Sequence, residues 1–412
     1  MLARAEGGKY DPDVRFSVDF LGCKVSHVDA HEIRERLLAD GHIEVSGGPA
    51  EIAVVNGCCV TGEAVAKSRK AASRASGSHA RVYLTGCAAS IAPESLGGLP
   101  DNVIVVRRRA EETAAFVAGD VGAIACVQAD ARLDRVRAFV KVQDGCSFSC
   151  GFCVIPLVRG ASRSRSAAAV KAEVRRRVEQ GHREVVLTGI NLGCYRDREA
   201  GFHLPRLVRE VGSTPGLERL RLSSIEINHV DAELVAALRD TPTVSRHLHV
   251  PLQSGDDGVL RAMGRRYTTG TYLRRLEPFA GEVNLTTDVI VGFPAEDELA
   301  FERTLETIRR AGITRVHVFP YSPRPGTRTA ADDPVPHAVK KVRSARLRSL
   351  SHELERRRWQ TKLGSHDTVL VDRPGRGYGD DYSPFLVDAP VGEIVRVRAL
   401  AVQKEGILGV AA

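Results

Sequence analysis

No apolar run in the 412-residue chain approaches the roughly 18 residues that a membrane-spanning helix needs. The opening MLARAEGGKYDPDVR lacks the apolar core of a secretory signal. Internal repeats and low-complexity tracts are also missing, which sets aside a repeat array. With 43% hydrophobic and 27% charged residues, these absences lead us to expect a soluble, globular, cytoplasmic protein. Structural disulfides are then disfavoured, so clustered cysteines among the nine present point to metal or redox chemistry. A net charge of +8 is compatible with a polyanionic partner such as nucleic acid.

Two α/β series follow one another. In the first, the strand-like RFSVDFLG, AEIAVVNG, RVYLTG and NVIVV alternate with the helical AHEIRERLLADG, EAVAKSRKAASRAS and AEETAAFVAG, predicting a parallel sheet. Residues 120–135 read as a linker. The second series has six strand-like runs: AFVKVQ, REVVLTG, ERLRLSS, RHLHVPL, VNLTTDVIVG and RVHVFPY. Six βα units over about 190 residues fall short of an eight-stranded barrel of about 250, so a partial, open barrel is expected. A basic helix comes next, with nine Lys or Arg against two Glu from His337 to Leu363. Short β-like runs from about His366 predict a small β-barrel. The fold class is thus α/β: a parallel α/β domain, a partial (β/α)6 barrel and a small β-barrel.

Two cysteine patterns stand out. QDGCSFSCGFC spaces Cys146, Cys150 and Cys153 as C-x3-C-x2-C just after the first strand of the second series. Three thiolates in one loop can wrap an iron–sulfur cube and leave one of its four irons open. A structural zinc site would recruit a fourth Cys or His nearby, whereas the next cysteine is Cys194. In the first series, strands end FLGC, VNGC and LTGC, placing Cys23, Cys58 and Cys87 where each strand runs out. Ligands bind outside the carboxyl ends of parallel strands, so these three can converge on a second cluster; three buried core cysteines are the competing explanation. The vicinal pair Cys58–Cys59 resolves by this pattern: Cys58 takes the ligand place and Cys59 is a small packing residue. Cys126 is expected to be a buried small hydrophobe, and Cys194 lies in a loop at a strand's end.

These segments together resemble the methylthiotransferase family of radical S-adenosylmethionine enzymes, in its tRNA threonylcarbamoyladenosine branch. The likeness runs from about Phe16 to the end. VKVQDGCSFSCGFCVIPLVRGASRSR, EVVLTGINLG, RLRLSSIE, HLHVPLQSGDDGVLRAMGRRY, TTDVIVGFPAE and HVFPYSPRPGT carry it, and LTGIN separates the branch best. Ser26 stands where the family commonly has Asn, Gly57 where Thr usually precedes the second auxiliary cysteine, and Cys194 where the family has no ligand. The resemblance implies a methylthiotransferase domain over residues 1–130, a radical domain over 131–345, and a basic helix with an RNA-binding TRAM domain over 346–412.

It further implies two [4Fe-4S] clusters and S-adenosylmethionine. Cys146, Cys150 and Cys153 would hold the radical-generating cluster; Cys23, Cys58 and Cys87 would hold the sulfur-carrying one. One S-adenosylmethionine would methylate that sulfur and a second would give the radical activating C2 of N6-threonylcarbamoyladenosine, beside the tRNA anticodon. The partners implied are tRNA at its anticodon loop and an external electron donor of flavodoxin or ferredoxin type, with no membrane. Alternatives are isopentenyladenosine in tRNA, a ribosomal-protein aspartate, or a non-catalytic metal-containing RNA-binding protein. Gln253, Gly292 and Glu296 are candidates to hold S-adenosylmethionine, Glu296 competing with a helix-dipole role. Arg159, Arg163 and Arg165 read either as an anion site or as a solvated basic loop. Tyr378, Tyr382 and Phe385 are candidate base-stacking platforms, with barrel core the other reading of Phe385. The basic helix is a candidate phosphate contact.

Overall fold

The computed structural model describes residues 14–45, 50–91, 93–108, 110–122 and 136–412. The chain divides into two compact units, residues 1–132 and 133–412.

The first unit alternates strand and helix: β1 Arg15–Phe20, α1 Lys24–Ala39, β2 Ile43–Glu44, β3 Ile52–Gly57, α2 Gly62–Ser76, β4 Arg81–Thr85, the short α3 Gly86–Ala89, β5 Val103–Val105 and α4 Ala110–Val121. The sheet is parallel, in the order β2-β1-β3-β4-β5. β3 is buried along its whole length, as expected of a central parallel strand covered on both faces. Phe16, Ile33, Leu37, Ile52, Val54, Tyr83 and Val117 pack the core. α4 runs to Val121, into the expected linker; the rest of that stretch, with Cys126 and the expected boundary at residue 130, lies outside the described residues.

The second unit begins with β6 Arg137–Asp144, α5 Ile155–Arg159, β7 Arg163–Ser164, α6 Ala167–Glu179, β8 Glu184–Gly189, β9 Arg196–Asp197, β10 Phe202–His203, α7 Leu204–Gly212 and β11 Arg219–Leu222. It continues with α8 Ala232–Asp240, β12 His247–His249, α9 Asp257–Ala262, α10 Thr269–Leu276, β13 Asn284–Val291, α11 Glu298–Arg310 and β14 Ile313–Pro320. α12 His337–Gln360 leads to β15 His366–Arg373, β16 Arg376–Tyr378, β17 Pro384–Leu386, β18 Ile394–Val402 and β19 Ile407–Ala411. β6, β8 and β11 pair in parallel, as do β12, β13 and β14, and an isolated Leu220–Val244 bridge links β11 to the segment leading into β12. These are the six strands expected of a partial barrel. β15 to β19 close a small barrel around Trp359, Val369, Phe385, Val397 and Ile407. The expected boundary at residues 345–346 falls inside α12. The strands that sequence patterning missed, β2, β7, β9, β10 and β16, are two or three residues long, too short to show a period.

The small barrel is fastened to the larger one by buried charge. Glu184 on β8 is fully buried and pairs with Arg221 at 2.9 Å, Arg219 at 3.1 Å and Arg137 at 2.7 Å. Arg219 also donates to the Thr368 carbonyl (2.6 Å), and Arg221 to the carbonyls of Gly379 (2.7 Å) and Asp380 (2.9 Å). The Arg137 guanidinium sits over Tyr378 and Tyr382, and that of Arg221 over Tyr382. This corrects the stacking-platform expectation: both tyrosines are committed to arginines of the larger barrel, and Phe385 is fully buried core. A ring whose face already carries a guanidinium offers no open face there to a base.

Candidate functional site

In the first unit the three expected cysteines follow adjacent parallel strands in near-identical register. Asn56 of β3 pairs with Phe20 of β1 and with Thr85 of β4. Cys58 and Cys87 lie two residues beyond Asn56 and Thr85, and Cys23 three beyond Phe20. Cys23 is the N-cap of α1, where the helix dipole favours negative charge. It is exposed, while Cys58 and Cys87 are buried. The segments touch: a Cβ built on Gly22 would lie 3.0 Å from Cys58 Cβ, and one on Gly57 2.7 Å from Ala88 Cβ. Gly22 and Gly86, preceding Cys23 and Cys87, have positive φ (134° and 75°). Gly57 does not; it is a glycine for close packing.

Residues that sequence reasoning missed hold this end of the sheet. Asn56 donates to the Ser26 carbonyl (2.5 Å) and accepts from the Thr85 hydroxyl (3.1 Å), sewing three chain segments together. Ser68 of α2 accepts from the Cys58 amide (3.0 Å) and donates to the Cys58 carbonyl (3.2 Å). Ser26 Oγ lies 3.7 Å from Cys23 Sγ. Cys59 is completely buried. The signal for these polar residues was their place beside the strand-end cysteines, in a stretch read only for its Gly-Cys endings.

In the second unit Cys146, Cys150 and Cys153 occupy the loop between β6 and α5. Gly145 adopts φ 68°, and a Cβ there would strike the Ala161 carbonyl oxygen at 2.2 Å. Gln143 donates to the carbonyls of Asp144 (2.9 Å) and Gly145 (2.7 Å), and its Oε1 accepts from the Asn191 amide (2.8 Å), linking the loop to LTGIN. Arg265 donates to Cys150 Sγ (3.4 Å) and pairs with Glu226 (3.3 Å). Burial pushes the Cys153 thiol up to about 12, with the neighbouring thiolates adding repulsion. Cys146 is raised for the same reasons, burial first. Such a set is costly to ionise without a cation and well placed to accept one.

Among the described residues, the one set of three metal-donor side chains with all ligand atoms within 4.8 Å is His249, Asp288 and His317. Cys194 Sγ lies 3.3 Å from His229 Nε2, and burial pushes its thiol up to about 11.

Gln253 has an unusual positive φ of 66°, held by its amide bonding the Asp288 carbonyl (2.8 Å). Backbone strain of this kind concentrates at ligand sites. Gly292 also has positive φ, 71°, but the space beside it is filled by Lys340 of α12. Glu296 Oε1 accepts from the Gly292 amide (2.7 Å) and from Arg343 (2.8 Å), while its buried Oε2 has no hydrogen-bond partner among the described residues. Burial raises the Glu296 carboxyl above its ordinary range. Its helix-dipole reading falls away, because Asp297 caps α11, accepting from Ala300 at 2.7 Å.

The arginines past the loop are engaged within the chain. Arg159 is buried against Asp144 (3.0 Å), Arg163 donates to the Arg159 carbonyl (3.1 Å), and Arg165 pairs with Glu173 (2.5 Å). They brace the loop, and neither of the two earlier readings describes them.

Comparison with known proteins agrees with this architecture. The Radical SAM superfamily model matches residues 140–320, and that of Uncharacterized protein family UPF0004 matches residues 15–106. The chain is 32% identical over 415 residues to the threonylcarbamoyladenosine tRNA methylthiotransferase MtaB of Thermotoga maritima, covering 95% of each chain. It is 34% identical over 416 residues to the protein of that name from Bacillus subtilis, covering 92% of each. Among solved structures, the radical S-adenosylmethionine methyltransferase TsrM from Kitasatospora setae superposes with a TM-score of 0.58 at 14% identity, covering 78% of this chain and 75% of that one; this likeness speaks for the fold. Among the described residues, no helix is long and apolar enough to cross a membrane. The chain belongs to the family of MtaB tRNA methylthiotransferases, enzymes built on a radical S-adenosylmethionine domain.

Proposed function

We propose that this protein transfers a methylthio group to C2 of N6-threonylcarbamoyladenosine beside the anticodon of tRNA, in the cytoplasm. The observation that carries the proposal is the pair of three-cysteine sets at strand carboxyl ends, one in each unit, in a chain aligned with MtaB relatives over nearly its full length. Cys146, Cys150 and Cys153 would hold one [4Fe-4S] cluster, and Cys23, Cys58 and Cys87 a second, each with an open iron. When bound with S-adenosylmethionine and reduced by an external flavodoxin- or ferredoxin-type donor, the first cluster supplies radical chemistry able to act at a C–H of no useful acidity.

The chain's own residues position and exclude. Arg265 sets a guanidinium beside Cys150, offsetting thiolate charge. Gln143 fixes the loop backbone and its distance from LTGIN. The unpartnered Oε2 of Glu296 suits an ammonium such as that of S-adenosylmethionine, and the Gln253 side chain stands at a strained position nearby in sequence to the barrel's strand ends. On α12, Lys340, Arg343, Arg346, Arg357 and Arg358 are spent on acidic partners within the unit and Arg356 on the Gln403 carbonyl, leaving exposed Lys341 and Arg348 for phosphate. tRNA affinity should fall as salt rises, with a shallow slope.

The decisive experiment is nucleoside analysis of tRNA from a strain lacking the protein. Loss of 2-methylthio-N6-threonylcarbamoyladenosine with its unmethylthiolated precursor retained is expected. An unchanged level of that nucleoside overturns the assignment and returns the isopentenyladenosine and ribosomal-protein substrates to consideration.

A further inference from the structure

On β13, Leu285, Val289 and Val291 join the apolar core shared with the surrounding helices. Thr286, Asp288 and Ile290 alternate with them and so face the opposite way, onto the concave side of the partial barrel. Three metal-donor side chains meet on that face. Asp288 pairs in register with His317 of β14, and His249 of β12 pairs with Thr286, two residues from Asp288. His249 Nε2 lies 3.1 Å from Asp288 Oδ1, and His317 Nδ1 lies 3.3 Å from the same oxygen.

Both contacts are within ion-pair reach, and protonated imidazoles could donate to the carboxylate across them. The distances also suit neighbouring ligands around one ion: donors about 2.1 Å from a metal at near-tetrahedral or right angles stand about 3.0–3.4 Å apart, and all three donor atoms lie within 4.8 Å of one another. The outer contacts fit as well. His249 Nδ1 lies 2.9 Å from Thr286 Oγ1, and His247 Nε2 lies 3.0 Å from that same hydroxyl. In the tautomer that donates the His249 Nδ1–H to Thr286, with the Thr286 hydroxyl donating to His247, Nε2 of His249 is free to ligate an ion beside Asp288. A ligating histidine usually has its second nitrogen fixed in this way. Strand pairing sets all three donors on rigid elements, and exposure falls from His317 (49%) through Asp288 (22%) to His249 (9%), so one side stays open.

We propose that His249, Asp288 and His317 bind a divalent first-row transition ion, of the zinc or ferrous class, inside the partial barrel. Two imidazoles and one carboxylate select such ions over magnesium or calcium, which prefer all-oxygen shells. Three protein ligands leave at least one position for water or an oxygen of whatever occupies the barrel. The site is distinct from both cysteine sets and does not depend on which nucleoside is modified.

The test uses reconstituted protein with its cysteines occupied, titrated anaerobically with zinc and followed by metal analysis and zinc K-edge X-ray absorption. One zinc per chain is expected, with two imidazoles and oxygen at about 2.0–2.1 Å and no sulfur shell at about 2.3 Å. Asp288→Asn and His317→Gln should each weaken zinc binding by more than about 100-fold while iron content stays at the wild-type value, which confirms folding. Zinc bound through sulfur, no zinc retained, or affinity unchanged in both variants would each overturn the site.

Discussion

The two cysteine sets, three residues each, are assembled by opposite routes. In the second unit, Cys146, Cys150 and Cys153 fall within eight residues of one loop, and arginines brace it from outside. In the first, Cys23, Cys58 and Cys87 come from three separate turns and are brought together only by the register of β1, β3 and β4. The loop set depends on local backbone geometry. The strand-end set depends on the whole sheet, so damage to unit 1 anywhere along Asn56, Thr85 or Ser68 reaches the site.

The sharpest break in that comparison is ligand removal. Cys150→Ala should abolish reductive cleavage of S-adenosylmethionine, whereas Cys58→Ala should leave cleavage intact; both should abolish methylthiolation. Iron should fall in each from about eight to about four per chain. If Cys58→Ala also ended cleavage, the two sets would not be separate centres.

The glycines come next. Gly145→Ala and Gly86→Ala each force a side chain into positive φ and into an oxygen, at 2.2 Å from the Ala161 carbonyl and 2.1 Å from Asn56 Oδ1 respectively. Strain of about 1–3 kcal/mol is expected for each, with different readouts. Gly145→Ala should lose the radical centre with the smaller fall in Tm, because much of the strain can be released by movement of one loop. Gly86→Ala should lower the Tm of the first unit as well as its iron, because Asn56 ties three segments. Equal Tm changes would erase the distinction between local and sheet-borne sites.

Legibility followed the same division. The C-x3-C-x2-C loop announces itself by spacing, since its geometry is local. The strand-end set was legible only because Gly-Cys recurs after each apolar run. What escaped was polar and long-range: Asn56, Ser68, Gln143 and Arg265 carry no local pattern. The Glu184 cluster escaped because charged residues in RLRL look like an exposed face until the small barrel covers them. The expectations for Arg159, Tyr378 and Tyr382 failed for the same reason, each finding its partner far along the chain or inside the fold.

A subtler test concerns the brace on the loop set. Arg265→Met removes a positive charge 3.4 Å from Cys150 Sγ. A less positive surrounding favours the oxidised cluster, so the midpoint potential should become more negative, measured by a spectroscopic redox titration; Arg265→Lys should restore most of it. An unchanged potential in the Met variant would mean that the arginine only shapes the loop.

The smallest effect is expected at Cys59. It follows Cys58 directly, yet an extended backbone turns successive side chains to opposite sides. Its thiol is fully buried, while Cys58 lies at the strand end beside Gly22. Cys59→Ala removes one buried atom and should cost about 1 kcal/mol, seen as a modest fall in Tm. Both iron centres and both activities should survive. Loss of four irons in Cys59→Ala, with retention in Cys58→Ala, would reverse the register assigned to the first unit's site.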